Sequence, residues 1–187
     1  MSFPTEPCFV LECNGYPEEL LQHPAMKFME GFENSFHSGT MYTEAEPFGT
    51  WHTTDFEYTD TFDICTTGKE GYLKLYEVYQ NLFEEFFHCP RVVLIRTTSD
   101  GYECYGKADL YATYKVPGEK KETSPDGKEW HFKAPGAWRM VFRRDGSSQP
   151  EGLKLSAMAI TSNPLPILGG AVARKMIPPE FLQQHAF

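Results

Sequence analysis

Met26, Met29, Phe32 and Phe36 recur at spacings of three, three and four, and Phe28 widens their stripe. That period predicts an amphipathic helix with one buried face. Ser38-Gly39 stops it, since glycine readily takes the left-handed conformation that closes helices. From Asp55 to Ile64 the period drops to two. Phe56, Tyr58, Asp60, Phe62 and Ile64 then share one side of a strand, opposite Glu57, Thr59, Thr61 and Asp63. The turn Thr66-Thr67-Gly68-Lys69-Glu70 leads into a second helical stripe of Tyr72, Leu73, Tyr76, Val78, Tyr79, Leu82, Phe83, Phe86 and Phe87, predicted to end before Pro90. Beyond it the pattern reads as strand and turn: Val92 to Thr98, Tyr102 to Val116, Glu129 to Arg144 and Leu153 to Thr161. Ser99-Asp100-Gly101 and Asp145-Gly146-Ser147-Ser148 are the hairpin turns.

Helices first and a meander last make an α+β fold and argue against a parallel α/β sheet. Gly106, Pro135 and Gly136 interrupt the long strands, where such residues mark bulges and bends. The expected architecture is a cone: a curved antiparallel sheet wrapped by N-terminal helices and enclosing a pocket. One domain spans residues 1–187. Its core covers about 25–162, preceded by an arm or short helix over 1–24 and followed by a tail over 163–187 with a short helix near Ala171 to Met176.

Composition sharpens this picture in one respect. The chain holds 15 Phe, 10 Tyr and 3 Trp, rigid apolar groups suited to a core and to a ligand-binding wall. A net charge of −9 and a pI near 5.1 disfavour nucleic-acid binding, which needs a basic surface, and docking on anionic membranes. Five cysteines without a C-x-x-C indicate neither a disulfide framework nor a zinc site. The N-terminal residues lack a secretory pattern and no stretch is long and apolar enough to insert in a membrane, so a cytoplasmic, reducing location is expected.

The segment Asp55-Phe56-Glu57-Tyr58-Thr59-Asp60-Thr61-Phe62, then Thr67-Gly68-Lys69-Glu70-Gly71-Tyr72-Leu73, resembles the nuclear transport factor 2-like (NTF2-like) superfamily, and within it the SnoaL-like polyketide cyclases and ketosteroid-isomerase-like enzymes. The helix closed by Ser38-Gly39 and the strand Trp138-Arg139-Met140-Val141-Phe142-Arg143-Arg144 add to the resemblance, which covers about Ala25 to Thr161. The longer strands and the tail are similar to members from fungal secondary metabolism. The resemblance implies a cofactor-independent isomerase, cyclase or dehydratase acting on a hydrophobic polycyclic, polyketide or terpenoid intermediate. A pericyclase that only shapes its substrate is a variant, since orientation alone lowers barriers. It equally admits a non-catalytic module that binds a hydrophobic ligand or a protein.

In ketosteroid-isomerase-like proteins a carboxylate on the first strand moves the proton, and Asp60 occupies the similar place. The residues point the same way, since a carboxylate on a Phe/Tyr face is desolvated and its pKa rises toward that of a useful base. Asp60 is equally suited to accepting a tyrosine hydrogen bond or pairing with Arg96. Tyr58 or Tyr111 would hold the substrate oxygen, and the resemblance offers Asp109 as a second acid, although Lys107 on its face suggests solvent. The expected substrate wall comprises Phe56, Phe62, Tyr111, Trp130, Phe132, Trp138, Met140 and Met158. Glu33 and His37 lie four apart on one helix face, and His37 could close the pocket. His88 reads as a histidine favoured by the dipole of a helix C-terminus. His52 and His131 show no ligand spacing, so no metal and no other cofactor is expected. The apolar face of Trp130, Phe132, Ala134, Gly136, Trp138, Met140 and Phe142 argues against a richly polar mechanism. The partner is then a small hydrophobic substrate, and the apolar outer faces are compatible with a homodimer.

Overall fold

The computed structural model describes residues 8–44, 46–146 and 151–180. Seven strands form one curved, unclosed sheet in the order β1-β4-β5-β8-β9-β2-β3. These are β1 (Cys8–Glu12), β2 (His52–Thr59), β3 (Cys65–Thr67), β4 (Phe83–Thr97), β5 (Gly101–Tyr114), β8 (Phe132–Arg144) and β9 (Leu153–Ser162). The short strands β6 (Glu122–Thr123) and β7 (Glu129–Trp130) pair separately. The helices are α1 (Glu18–Leu21), α2 (Pro24–Ser38), α3 (Phe48–Trp51), α4 (Lys69–Leu82) and α5 (Leu165–Ala173).

The first amphipathic stripe is α2, and its buried residues are those the period selects: Met26, Phe28, Met29, Phe32 and Phe36 are all at most 3% exposed. His23 caps its start, with Nδ1 accepting from the Ala25 N–H, and Gly39 closes it at φ +72°. Phe28 anchors the helix to the body by edge contacts with the rings of Trp51 and Phe142, 5.4 and 5.3 Å between centroids.

Five local expectations are corrected. The N-terminal arm contains a strand, β1, which adds to the edge of the sheet against β4. The first long strand ends at Thr59, and Asp60 opens a turn instead of continuing it: Asp60 Oδ1 accepts the backbone N–H groups of Phe62 and Ile64 at 2.9 and 3.0 Å. The second helix ends at Leu82, not before Pro90. Phe83 and Phe86 are three apart and mimic a helical period, but a bulge between Phe83 and Glu85 turns both inward within β4. Pro90 sits inside that strand beside a second register shift, where a missing N–H is tolerated. The tail helix starts earlier than expected, at Leu165, and includes Gly170, where a Cβ would stand 2.2 Å from the Tyr114 hydroxyl oxygen.

The fifth correction concerns pairing. β2 runs parallel to β9, with Tyr58 opposite Met158, while the other strand pairs are antiparallel. From this far edge the Gly68 turn leads into α4, whose Tyr72 packs against Phe32 and Phe36 of α2. Tyr114, on β5, fastens α5: its hydroxyl donates to the Ile167 carbonyl at 2.7 Å.

Candidate functional site

Between α2, α4 and the concave face of the sheet lies a cavity of about 100 Å³. Space exists because the sheet contributes small side chains where the helices contribute large ones. Ala108, Ala134, Gly136 and Ala137 face Met29, Phe36, Leu75 and Tyr79. Trp138, Met140, Met158 and Ile160 complete the apolar walls, and Ile167 of α5 contributes to their rim. The Trp138 indole lies where any side chain at position 106 would go, since a Cβ on Gly106 would come within 2.3 Å of Trp138 Cζ2.

One corner of this wall is polar. Glu33, from α2, and His88, from β4, both line the cavity, and His88 Nδ1 stands 2.7 Å from Glu33 Oε2. His37, one helical turn beyond Glu33, places Nε2 3.2 Å from the same oxygen. The Glu33 side chain is 12% exposed. Burial works to raise its pKa, but the charge of His88, the close approach of His37 and the hydrogen bond from His88 outweigh it and hold the carboxyl well below the usual range. Glu33 is therefore a carboxylate at neutral pH.

Geometry fixes one proton of His88. An ionised carboxylate only accepts, so Nδ1 carries the proton it donates, and in the neutral form of the ring the lone pair is on Nε2. That nitrogen has no hydrogen bond among the described residues. The ring is held between the rings of Tyr79, 5.8 Å away at 28°, and His37, 5.8 Å away at 16°. Phe86 braces His37 edge-on at 4.5 Å. Tyr16, Tyr72 and Tyr79 also line the cavity, and burial is the first cause that pushes all three phenols above their ordinary range. They stay protonated and can donate.

The strand alternation of β4 explains the convergence. Phe86, His88 and Pro90 share one face, paired across to Ala112, Leu110 and Ala108 of β5, and the last two partners line the cavity. Phe87 and Cys89 turn to the opposite side, where Cys89 packs with Tyr111 and Trp130. The signal was present in the sequence as an i, i+2 pattern, masked by the Phe83/Phe86 spacing that reads as helix.

The residues expected to act distribute unevenly. Trp138, Met140 and Met158 stand in the cavity wall. Phe132 is packed beside Phe83 and Tyr114, outside the lining. Tyr111 and Trp130 lie in the separate cluster on the other side of the sheet: Tyr111 alternates with Leu110 on β5, and Trp130 precedes the break between β7 and β8 at His131. Phe56 is buried under His52 and Phe48. Tyr58 packs edge-on against Tyr72, its phenol pushed up by burial and then by Asp60. Phe62 follows the Asp60 turn. Asp109 points away from the cavity beside Arg91, 3.7 Å from its Nε. His37 touches Glu33 from behind the lining. Asp60 and Tyr58 stand near each other and Asp109 lies apart beside Arg91, and none of the three lines the cavity, whereas Glu33, on the helix face read as one that could close the pocket, and His88, read as a helix end, both do.

His52 and His131 take no part in any cluster of ligand atoms among the described residues, but another cluster forms across the chain. Ligand atoms of Glu33, His37 and His88 all lie within 4.8 Å of one another, although 55 residues separate Glu33 from His88.

No protein-family model matches this sequence, and no curated protein matches it either. Solved structures do. A hexachlorocyclohexane dehydrochlorinase, LinA type 2, superposes with a TM-score of 0.52 at 14% identity, over 75% of this chain and 83% of that one. ActVI-ORFA from Streptomyces coelicolor gives 0.52 at 13% identity, over 76% and 97%. An NTF2-like protein of unknown function from Rhodospirillum rubrum gives 0.51 at 18% identity, over 73% and 96%. The chain has the NTF2-like fold.

Proposed function

We propose that this protein is a cofactor-independent enzyme that abstracts a proton from carbon in an apolar small molecule, with His88 as the base and Glu33 as the group that orients and sustains it. The observation that carries the reading is the 2.7 Å bond from His88 Nδ1 to a buried carboxylate, at the wall of a cavity that is otherwise almost wholly apolar. Holding Nδ1 directs the opposite nitrogen as the proton acceptor, and the carboxylate stabilises the imidazolium that forms. An apolar cavity strengthens this pairing, because water does not compete for either partner. The Tyr72 and Tyr79 hydroxyls are the donors available to a negative charge growing on the substrate.

Proton abstraction opens three outcomes: return of the proton elsewhere, attack of the carbanion on another part of the molecule, or expulsion of a leaving group. Isomerase, cyclase and lyase chemistry therefore share this site. The fold relatives include one protein named as a dehydrochlorinase, and elimination of that kind is among the three. The apolar walls from β8 and β9 favour a hydrophobic substrate, which they would orient by shape.

A positioned general base contributes about 10²–10⁴-fold in rate. The probe we would use is 5-nitrobenzisoxazole, whose ring opens once a base removes its C–H proton. Wild-type protein should accelerate the opening, and His88→Ala should remove at least about a hundredfold of that rate with its circular dichroism unchanged. Equal turnover by a folded His88→Ala variant would refute the assignment.

A further inference from the structure

The dyad needs one histidine, yet two face the same carboxylate oxygen. His37 Nε2 is buried and stands 3.2 Å from Glu33 Oε2, but its N–H direction is too poor for a hydrogen bond, and it has no other partner. A buried imidazole nitrogen without a bond costs free energy unless something else takes it. Its neighbours suggest what: Glu33 Oε2, His37 Nε2 and His88 Nδ1 converge within 4.8 Å on one side of the cavity corner.

We propose that Glu33, His37 and His88 form a binding site for a divalent transition-metal ion of the zinc kind. Two imidazoles and one carboxylate suit zinc, cobalt, nickel or iron(II), and are a poor set for calcium or magnesium, which want mostly oxygen. Ligands about 2.0–2.1 Å from a tetrahedral ion lie about 3.3 Å from one another. The Glu33–His37 separation of 3.2 Å already matches, and the Glu33–His88 separation of 2.7 Å must open by about half an ångström, within the reach of side-chain rotation. The ring pairs that hold His37 and His88, with Phe86 and Tyr79, fix both imidazoles before an ion arrives.

The proposal shares the corner of the proton-transfer reading but stands without it, and the two states exclude each other. An ion on Nδ1 displaces the proton that now bridges to Glu33; that proton moves to Nε2, the imidazole stays neutral, and the lone pair that would act as base is lost. Binding is therefore expected to inhibit proton abstraction, with no redox change and one ion per chain.

The test uses the full chain without a histidine tag, stripped with EDTA and titrated with Co²⁺ and then Zn²⁺ under calorimetry and visible absorption. One equivalent should bind, with the d–d spectrum of nitrogen and oxygen ligands, and both His37→Asn and His37→Ala should weaken it by at least about tenfold. Unfolding of each variant without metal separates lost binding from lost fold. Exposed Cys8 and Cys65 offer sulfur ligands instead, and a thiolate charge-transfer band unaffected by the His37 variants would overturn the proposal. No binding at equimolar metal would overturn it too. Turnover of 5-nitrobenzisoxazole in EDTA, compared between wild type and His88→Ala, reports separately on the base, so either reading can fall alone.

Discussion

Glu33→Gln isolates the charge at the heart of the site while keeping its shape. The structure gives Oε2 a 2.7 Å bond from His88 and leaves the side chain 12% exposed. A hydrogen bond to a charged group contributes about 1.5–3 kcal/mol and a neutral one about 0.5–1.5 kcal/mol. Glutamine can still accept the His88 proton, so the loss should be the difference, about 1–2 kcal/mol at pH 7. For a chain of this size that lowers Tm by roughly 2–8 °C. Linkage fixes how the loss varies with pH. Glu33 is held below its unfolded value of about 4.3, so its stabilisation is fully present above that value and fades as pH falls further. Urea unfolding at pH 7 and at successive points below pH 4.5 should show the gap between wild type and variant closing. A gap that stays constant with pH, or a variant more stable at pH 7, would show that Glu33 is not ionised by its partners. Turnover provides a second readout. The amide no longer stabilises the imidazolium, so Glu33→Gln should also lose about 10²-fold or more in proton abstraction.

Three further substitutions probe the surroundings. Asp60→Asn should leave 5-nitrobenzisoxazole turnover within about twofold and cost under about 1 kcal/mol, because an amide oxygen can accept the same Phe62 and Ile64 N–H groups; a hundredfold loss of turnover would restore Asp60 as the base. Gly106→Ala puts a methyl 2.3 Å from the Trp138 ring and 2.8 Å from the Val92 carbonyl oxygen. It should cost about 1–3 kcal/mol and shift tryptophan fluorescence as the indole turns in the cavity, an effect absent if the ring is loosely held. Tyr114→Phe removes the hydroxyl bond to the Ile167 carbonyl, a loss of about 0.5–1.5 kcal/mol. Hydrogen exchange should quicken in α5 while β5 stays protected, and unchanged exchange in α5 would mean that the helix is held by packing alone.

The α2 stripe, the Gly68 turn and the long strands of the meander were legible because one period governs each of them and one face of each is buried. The same logic failed where two periods coexist. Bulges in β4 set Phe83 and Phe86 on one face at a helical spacing, and that disguised the strand carrying His88. The expected run of the strand through Asp60 failed for a different reason. Alternation counts side chains but not backbone needs, and an aspartate can end a strand by accepting N–H groups two and four residues on. The Glu33–His37 pair was visible as a helical spacing. Its third member was not, because nothing local to His88 says that the strand it occupies crosses beneath α2.

The arrangement separates chemistry from selection. A lone carboxylate in so apolar a cavity would be driven toward its neutral form by desolvation, and a lone imidazole would have no fixed tautomer. Paired, each corrects the other: His88 and His37 keep Glu33 ionised, and Glu33 keeps the His88 proton on Nδ1. Both requirements are met by α2 and β4 alone. The remaining walls come from α4, β5, β8, β9 and α5, whose cavity residues are mostly apolar and carry no part of the pair. Substitutions among Ala108, Ala134, Ala137 and Ile160 can therefore reshape what fits without altering the base that meets it. A fold built this way can change what it holds by small steps in one half of its wall, while the half that carries the proposed base stays as it is.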